Sequence, residues 1–266
     1  MKDLKIRALS GFLYVALIVL ALFQGPLLFY IVLALFSILS LIEFHRLLTF
    51  SPLFSSIALI GLFYGQYQAY FETNTLWTLA SLAIVCSSLL SYRLFYPFQI
   101  NSLLKKFIFS LGYMLLSCFF IVVLCGNREA NNPYLLLYVY SLIWVNNSAA
   151  YFVGSQFGKH PLLPTVSPKK SWEGFWGGQF FCFLLAGIYG VASKALTPTL
   201  LFILSFIIPT LATIGDLIQS QFKRHAGVKD SGSLLPGHGG FYDRMDSIIF
   251  TAPFVYLAVE IIAYVS

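Results

Sequence analysis

A charged block near the carboxyl end of the chain, residues 216–246, holds the side chains best suited to chemistry. It reads DLIQSQFKRHAGVKDSGSLLPGHGGFYDRMD and includes two histidines and a glycine cluster. Its acids and cations are Asp216, Asp230, Asp243, Asp246, Lys223, Arg224, Lys229 and Arg244. Mg²⁺ is usually held by one or two carboxylates, with the other ligands supplied by water and phosphate. The block therefore predicts a Mg²⁺-dependent site for a polyphosphate.

The first half of this block has helical spacing. Asp216, Ser220 and Lys223 stand at i, i+4 and i+7, so a helix would place them on one face, with Arg224 at its edge. Asp216 also follows a long apolar run, where an ionised carboxylate is costly and is by default a candidate for a functional role. A carboxylate, a hydroxyl and two cations on one stripe suit a metal–phosphate complex better than a surface salt bridge.

The second half of the block combines a glycine-rich turn with two further acids. Glycines in the turn 237–240 (GHGG) let backbone N–H groups approach an anion, although a plain loop has the same composition. If the following segment is helical, Asp243 and Asp246 share a face at its start. Acids at a helix start can simply cap the dipole. Their coincidence with Asp216 and the lysines favours a role as metal ligands.

A second basic motif, SPKKSWEG at 167–174, precedes another apolar run. Lys169 and Lys170 stand just before a predicted helix start, which Ser171 can cap. Glu173 then falls in the first turn, where the helix dipole favours a carboxylate. Topology or attraction to lipid headgroups would explain the lysines alone. Together with the free N–H groups of a helix start, they predict a phosphate cradle.

Polar and small residues within the apolar runs add three observations. Asn146 and Asn147 could join helices or line a polar site, and the sequence alone leaves both interpretations open. Glu43 ends the second run, where an ion pair at the membrane interface is favoured over a role in a site. Gly174 and Gly178 have the small-xxx-small spacing that predicts close approach of a neighbouring helix.

These motifs are set in a chain that is too apolar to be a soluble protein. Of its 266 residues, 59% are hydrophobic and 10% are charged, and the mean hydropathy is +0.82. A soluble domain is about one quarter charged. The apolar residues form separate runs long enough to cross a hydrocarbon core of about 30 Å. We expect one all-α integral membrane domain, a polytopic helical bundle, with its N-terminal spans in 1–125 and its catalytic spans and cytoplasmic loops in 133–266.

About nine transmembrane helices are expected, and their loops fix an orientation. The apolar runs are 8–23, 26–42, 52–71, 76–90, 107–125, 133–153, 172–191, 198–218 and 248–265. With a cytoplasmic N-terminus, only Arg128 and Lys194 of the 16 Lys and Arg lie on the far side, as the positive-inside rule requires. The net charge of +6 thus reflects topology rather than binding to nucleic acid. The charged block faces the cytoplasm, where nucleotides are found.

Taken together, these motifs resemble the phosphatidate cytidylyltransferase (CDP-diacylglycerol synthase) family. The run 220–246 is similar to the family signature over its full length, and GDL at 215–217, FGK at 157–159 and SPKKSWEG resemble further motifs. The likeness covers about residues 144–250, whereas the first five runs match in hydropathy alone. The signature positions are Ser220, Lys223, Arg224, Lys229, Asp230, Gly232, Leu235, Pro236, His238, Gly239, Gly240, Asp243, Arg244 and Asp246.

The resemblance implies a reaction of phospholipid biosynthesis, in which the CMP unit of CTP is transferred to phosphatidate to give CDP-diacylglycerol and pyrophosphate. Spacing and resemblance together make Asp216 and Asp243 ligands of Mg²⁺, with Asp246 as a third acid and a second cation left open. The expected catalytic residues are Asp216, Lys223, Arg224, Asp243 and Arg244. The expected substrate-binding residues are Ser167, Lys169, Lys170, Ser220, Lys229, Asp230, His238, Gly239 and Gly240.

The sixth run departs from the family pattern. The family has an acidic residue there, in a stretch similar to ADSGAY, whereas residues 146–151 read NNSAAY and place Asn147 at the acidic position. Because the main signature is intact, we expect the activity to be kept. Three alternatives stay open: a CTP-dependent kinase of a membrane lipid, a transporter of a phosphorylated solute, and an inactive member of the family. A transporter would more often place its charges at mid-membrane between inverted repeats.

The expected partners are CTP, phosphatidate and membrane lipids, and not nucleic acid; a homodimer is left open. One substrate is a lipid and the other is water-soluble. The site is therefore expected at the cytoplasmic face of a multi-pass protein in a bacterial inner or plasma membrane, open sideways to the bilayer.

Overall fold

The computed structural model describes residues 2–96, 99–100, 102–128, 132–193, 195–234 and 239–265. Within these ranges nine continuous helices follow the order of the nine apolar runs. They are α1 Lys2–Phe23, α2 Pro26–Leu47, α3 Leu53–Tyr67, α4 Thr73–Arg93, α5 Leu103–Cys125, α6 Pro133–Phe157, α7 Trp172–Ala192, α8 Pro198–His225 and α9 Tyr242–Val265. The helical bundle that the hydropathy predicts is therefore present.

Six of the described helices, α2, α4, α5, α7, α8 and α9, are both long and apolar enough to cross a membrane. Two shorter apolar stretches, Ser10–Phe23 within α1 and α3 itself, add to them. The chain is thus a multi-pass membrane protein by the length and composition of its helices. The nine helices match the nine predicted runs in number, but nine membrane crossings are not confirmed.

The prediction of an all-helical chain misses one small element. An antiparallel hairpin between α6 and α7 pairs β1, Pro161–Leu163, with β2, Ser167–Ser171. Three prolines within 161–168 remove backbone donors and disfavour a helix there. Lys169 and Lys170 consequently lie on a strand that leads into α7.

Side-chain caps mark the start of three helices around the later site. Asn132, Ser171 and Thr197 each accept a hydrogen bond from the backbone N–H three residues further on, at 3.3, 3.1 and 3.4 Å. Such caps satisfy donors that a helix start otherwise leaves unpaired. The predicted cap at Ser171 is confirmed.

Two helices extend further than the apolar runs suggested. Helix α8 continues through the charged residues to His225, so Asp216, Ser220 and Lys223 do lie on one helix, as predicted. Helix α9 begins at Tyr242, which places Asp243 and Asp246 in its first two turns. The boundary of a membrane helix in this chain is therefore set by its caps and packing, not by where the apolar residues end.

Helices α5 and α9 form the centre of the bundle. Residues 113–125 of α5 are buried without interruption, and the helix includes a π-helical stretch at Phe109–Leu115 that overlaps the start of this run. Helix α9 packs against α2, α4, α5 and α8, while α6, α7 and α8 pack against one another. The first turns of α9 thus lie where both groups of helices meet.

Glycines allow α6 and α7 to come close together. A Cβ on Gly174 would lie 2.6 Å from the carbonyl oxygen of Ala150, and one on Gly178 would overlap the side chain of Asn146. Such distances are too short for any larger residue. The close approach predicted from the spacing of Gly174 and Gly178 is confirmed.

Contacts between helix ends show which termini share an end of the bundle. At one end, Lys106 at the start of α5 donates to Thr49 after α2 (3.0 Å), and Gln221 near the end of α8 donates to the Arg93 carbonyl that ends α4 (2.9 Å). This end, which also holds the start of α9, is called the site end below. The opposite end holds the contact of Tyr30 with the Gly126 carbonyl (2.5 Å).

Candidate active site

A cavity of about 740 Å³ opens at the site end between α6, the hairpin, α7, α8 and α9. Eight of the predicted site residues line it: Asp216, Asp230, Asp243, Asp246, Lys169, Lys170, Lys223 and Arg244. They come from four separate elements, and the fold gathers them around one space. The structure thus brings these predicted acids and cations together, and their roles in a site stay a prediction.

Asp243 is the most heavily bonded acid of the cavity. Its Oδ1 accepts hydrogen bonds from Gln219 Nε2 (2.9 Å) and Lys223 Nζ (2.8 Å). Its Oδ2 accepts from the N–H (2.9 Å) and hydroxyl (3.0 Å) of Ser231 and from the Gly240 N–H (2.9 Å). With the side chain 6% exposed, these donors are what allows an ionised carboxylate to stay buried.

Asp216 pairs with the other lysine that reaches deep into the cavity. Its Oδ2 lies 2.5 Å from Lys170 Nζ, and both side chains are about half-buried. Because Lys170 is on β2 and Asp216 is on α8, this ion pair fastens the hairpin over the cavity. The two acids Asp216 and Asp243 are thus each paired with a lysine.

Asp246 lies one turn beyond Asp243 and is 7% exposed. Its Oδ1 accepts a hydrogen bond from the Ser247 N–H at 2.6 Å. The neighbouring helix comes unusually close here, since a Cβ on Gly215 would lie 3.0 Å from the Asp246 carbonyl oxygen and 2.6 Å from the Cβ of Phe250. This contact puts Asp216, the residue after Gly215, on the same wall of the cavity as Asp246.

The carboxylates provide hard oxygen ligands, the kind that Mg²⁺ takes together with phosphate. In the part of the chain that the structure describes, no three Asp, Glu, His or Cys side chains are gathered closely enough to hold a metal ion by themselves. Both oxygens of Asp243 also carry several donors already. The donor set therefore fits an ion whose coordination is completed by phosphate and water, rather than a preformed cage of three aspartates.

The hairpin and the start of α7 are held together by Glu173. Its carboxylate accepts the N–H groups of Lys159 (3.1 Å) and His160 (3.3 Å) and contacts the His160 ring at 2.6 Å. The expected cradle of free N–H groups is not present here. The Trp172 N–H donates to the His160 carbonyl (2.9 Å), and the Gly174 N–H donates to the capping serine.

The two described glycines of the glycine-rich turn, Gly239 and Gly240, both contact Asp243. Gly239 has φ +82°, in the left-handed region that favours glycine, and a Cβ there would lie 2.6 Å from Asp243 Oδ2. The Gly240 N–H is used by the same carboxylate. These two glycines therefore help to hold the Asp243 carboxylate, and the anion-binding role predicted for the turn stays a prediction.

The other predicted residues lie around the cavity or away from it. Arg224 is exposed at the end of α8, with its guanidinium 3.4 Å from the Val228 carbonyl oxygen, and Lys229 is exposed in the following loop. Ser167 and Ser220 are half-buried and are not among the described residues that line the cavity. The signature residues Leu235, Pro236 and His238, and Lys194 of the orientation argument, lie outside the described residues.

Asn146 and Asn147 satisfy both of the interpretations that the sequence left open. Both line the cavity. The Asn146 side-chain NH₂ also donates to the side-chain oxygen of Asn147 (3.4 Å), and the Asn147 side-chain NH₂ donates to the Ser247 hydroxyl on α9 (3.5 Å). Asn147 therefore lies in the polar wall beside Asp246, at the position where the family pattern has an acid.

Sequence reasoning missed three contributors to the site, Gln219, Ser231 and Glu43. Glu43 was assigned to an ion pair at the membrane interface, but it is 1% exposed and accepts hydrogen bonds from Ser231, Phe241 and Tyr242. The available signal was an acid at the end of an apolar run, which is costly unless it is bonded. No comparable signal marks Gln219 or Ser231.

Comparison with known proteins identifies the family of the chain. The model of the Cytidylyltransferase family matches residues 5–262. The chain is 31% identical over 263 residues to the phosphatidate cytidylyltransferase of Bacillus subtilis (strain 168), covering 96% of this chain and 97% of that one. It is 31% identical over 258 residues to the enzyme of the same name from Staphylococcus haemolyticus (strain JCSC1435), covering 94% and 96%.

A third match is shorter but has a higher identity. Over 126 residues the chain is 48% identical to the phosphatidate cytidylyltransferase of Haemophilus influenzae, covering 46% of this chain and 44% of that one. The chain belongs to the cytidylyltransferase family, whose members transfer nucleotidyl groups. The likeness extends over the first five helices as well, where the sequence alone indicated a match only in hydropathy.

Proposed function

We propose that this protein transfers the CMP unit of CTP to phosphatidate and releases pyrophosphate. The observation that carries the proposal is one cavity at an end of a membrane bundle that gathers four aspartates and three lysines. Two relatives that match nearly the whole chain are named phosphatidate cytidylyltransferase. Multiply charged phosphates are the ligands that such a mixture of charges suits best.

The lysines are positioned to hold phosphates. An ammonium group has three donors, so Lys170 and Lys223 can each keep contact with a carboxylate while donating to a phosphate oxygen. Lys169 is exposed at the rim and can meet the outer phosphates of the nucleotide. Together these cations offset the charge of the triphosphate and of the leaving pyrophosphate.

The acids are positioned to hold Mg²⁺, which would neutralise phosphate oxygens when it is bound. Asp216 and Asp246 share a wall of the cavity, and Asp243 lies beside them in the first turn of α9. The carboxylates lie on α8 and α9, and these helices pack closely at Gly215. This packing keeps the wall fixed. A wall that needs no rearrangement favours a charged transition state.

The chemistry requires little covalent work from the protein. A phosphate oxygen of phosphatidate forms a bond to the α-phosphorus of CTP, and the bond from that phosphorus to the bridging oxygen of the β-phosphate breaks in line with it. The attacking phosphate is already ionised, so no general base is needed. The protein contributes alignment of two anions that otherwise repel each other.

The site end lies on the cytoplasmic side in this proposal. The distribution of Lys and Arg supports that orientation, because the cations of the cavity belong to the loops that the positive-inside rule places in the cytoplasm. The lining includes Tyr151, Leu162 and Phe175, an apolar side along which a lipid can reach the charged wall from the bilayer.

The experiment follows radiolabel from CTP into lipid. Purified protein in phosphatidate-containing vesicles receives Mg²⁺ and CTP labelled at either the α- or the γ-phosphate. We expect α-label in the lipid extract, γ-label in pyrophosphate, and loss of both with a chelator. Label from the γ-phosphate in lipid would instead indicate a kinase, and label in neither product would contradict the proposal.

A further inference from the structure

Glu43 is a buried acid that the proposed reaction does not use directly. It lies near the end of α2 and is 1% exposed. Its Oε2 accepts hydrogen bonds from the Ser231 hydroxyl (2.8 Å) and the Tyr242 N–H (3.0 Å), and its Oε1 accepts from the Phe241 N–H (3.2 Å). The acid is therefore bonded to the segment on which Asp243 is carried.

The two backbone donors belong to the start of α9. The first N–H groups of a helix have no partners within it, and the helix dipole favours negative charge beside them. Glu43 fills this role from a different helix, while Asp243 accepts the Gly240 N–H just before it. The start of α9 is thus capped by two carboxylates, one of them anchored on α2.

The Ser231 hydroxyl connects these carboxylates. It lies 2.8 Å from Glu43 Oε2 and 3.0 Å from Asp243 Oδ2. A hydroxyl has one hydrogen, so it can donate to one carboxylate at a time. A change in the hydrogen bond between the Ser231 hydroxyl and Glu43 therefore changes the hydrogen bond that this hydroxyl can donate to Asp243.

The space around Glu43 is built for a carboxylate. A Cβ on either Gly232 or Gly240 would overlap its side-chain oxygen atoms. The backbone of the loop consequently closes on Glu43 from two directions. Its neighbours Phe44 and His45 are fully buried, so α2 gives this carboxylate a fixed base.

We propose that Glu43 is a positioning residue for the reaction. Through Ser231 and the first turn of α9 it sets the orientation of Asp243, whose Oδ1 meets Lys223 at the cavity. The role of Asp243 in this inference rests on the proposed function. The link from Glu43 to the start of α9 rests on the contacts alone.

Two variants test the link. Glu43→Gln keeps the shape of the side chain but replaces one acceptor oxygen with an NH₂ group, which cannot accept from an N–H. Ser231→Ala removes the hydroxyl between the carboxylates. The matched control is Ser40→Ala, on the same helix one turn earlier, where a buried hydroxyl has no partner among the described residues.

Kinetics and melting temperature are measured together. We expect Glu43→Gln to lower kcat by about tenfold with KM for CTP changed by less than about threefold, and Ser231→Ala to lower kcat by about threefold. Because both act through Asp243, the double variant should be no worse than Glu43→Gln by more than about twofold. Ser40→Ala should keep the wild-type kcat.

Three results would overturn the inference: an unchanged kcat in Glu43→Gln, effects that multiply in the double variant, or a fall in melting temperature with kcat per folded protein unchanged. If Glu43→Gln does not fold, the test rests on Ser231→Ala, and an unchanged kcat in that variant would overturn the inference. If the wild type transfers no CMP, the proposed function has failed by itself. Hydrogen exchange then tests the link, with faster exchange at the Phe241 and Tyr242 amides expected in Glu43→Gln but not in Ser40→Ala.

Discussion

The two ends of α9 carry acids in different settings. Asp243 lies at the site end, beside a cavity of about 740 Å³ that is also lined by lysines and three further aspartates. Glu260 lies seventeen residues later, beside a cavity of about 310 Å³ at the opposite end. Of the described residues that line the smaller cavity, none is a lysine or an arginine, and most are apolar.

The difference lies in how the acids are supported. Asp243 accepts hydrogen bonds from Gln219 and Lys223 on α8 and from the Ser231 and Gly240 N–H groups before α9. These bonds fix its orientation. Glu260 is half-exposed and has around it Tyr256 and Val259 of its own helix. An acid in a membrane bundle thus becomes a candidate for chemistry through the donors and cations that fix it, and not through its position alone.

The largest effect is expected from an acid at the site end compared with Glu260. Asp216→Asn should lower CMP transfer by about 100-fold or more, since it removes a carboxylate that is proposed to hold Mg²⁺ and that pairs with Lys170. Glu260→Gln, the control, should stay within about twofold of the wild type. Initial rates in phosphatidate vesicles measure both. Equal losses of CMP-transfer rate in the two variants would show that the acids at the two ends of the bundle do not differ in function.

Lys223→Ala comes next, because it removes a phosphate donor and leaves Asp243 without its cation. We expect KM for CTP to rise by about tenfold, with a smaller fall in kcat. Lys106→Ala is the control, since Lys106 is at the same end but donates to Thr49 outside the cavity. An unchanged KM for CTP in Lys223→Ala would show that this lysine does not bind the nucleotide.

A moderate effect is expected from loosening the hairpin. Glu173→Gln weakens the bonds to the Lys159 and His160 N–H groups, so Lys170 should be held less firmly over the cavity. We expect kcat to fall by about threefold to fivefold. Glu72→Gln, an exposed acid at the start of α4, serves as the control. A rate equal to that of the wild type would show that the hairpin needs no such anchor.

The smallest effect is expected from restoring the family's acid. Asn147→Asp places a carboxylate in the cavity wall near Ser247 and Asp246. We expect the Mg²⁺ concentration for half-maximal rate to shift by about threefold, because the wall gains a negative charge. A titration with Mg²⁺ measures this. If neither the rate nor the Mg²⁺ dependence changes, Asn147 is a structural link between α6 and α9.

Local patterns in the sequence predicted the parts of the site that depend on neighbours in the chain. The helical spacing of Asp216 and Lys223, the cap at Ser171 and the close approach at Gly178 all follow from residues within a few positions of one another. Each of these sequence patterns lies within one helix or at one helix terminus. The physical reason is that helix geometry alone fixes such relations.

The remaining parts depend on partners far away in sequence. Glu43 and Ser231 are separated by 188 positions, and burial of an acid says that it needs donors but not where they come from. The hairpin at 161–171 was also missed, since its two strands are short and its prolines indicate only that a helix is disfavoured. Tertiary packing supplies what the local pattern lacks.

The most direct test of the account is the rate at which α-label from CTP enters phosphatidate in the Asp243→Asn variant, compared with wild type at equal folded protein. The account predicts a loss of about 100-fold or more, because a neutral amide cannot hold Lys223 and the loop as the carboxylate does. A melting temperature close to that of the wild type would confirm that the variant is folded. Transfer at the wild-type rate would contradict the central claim.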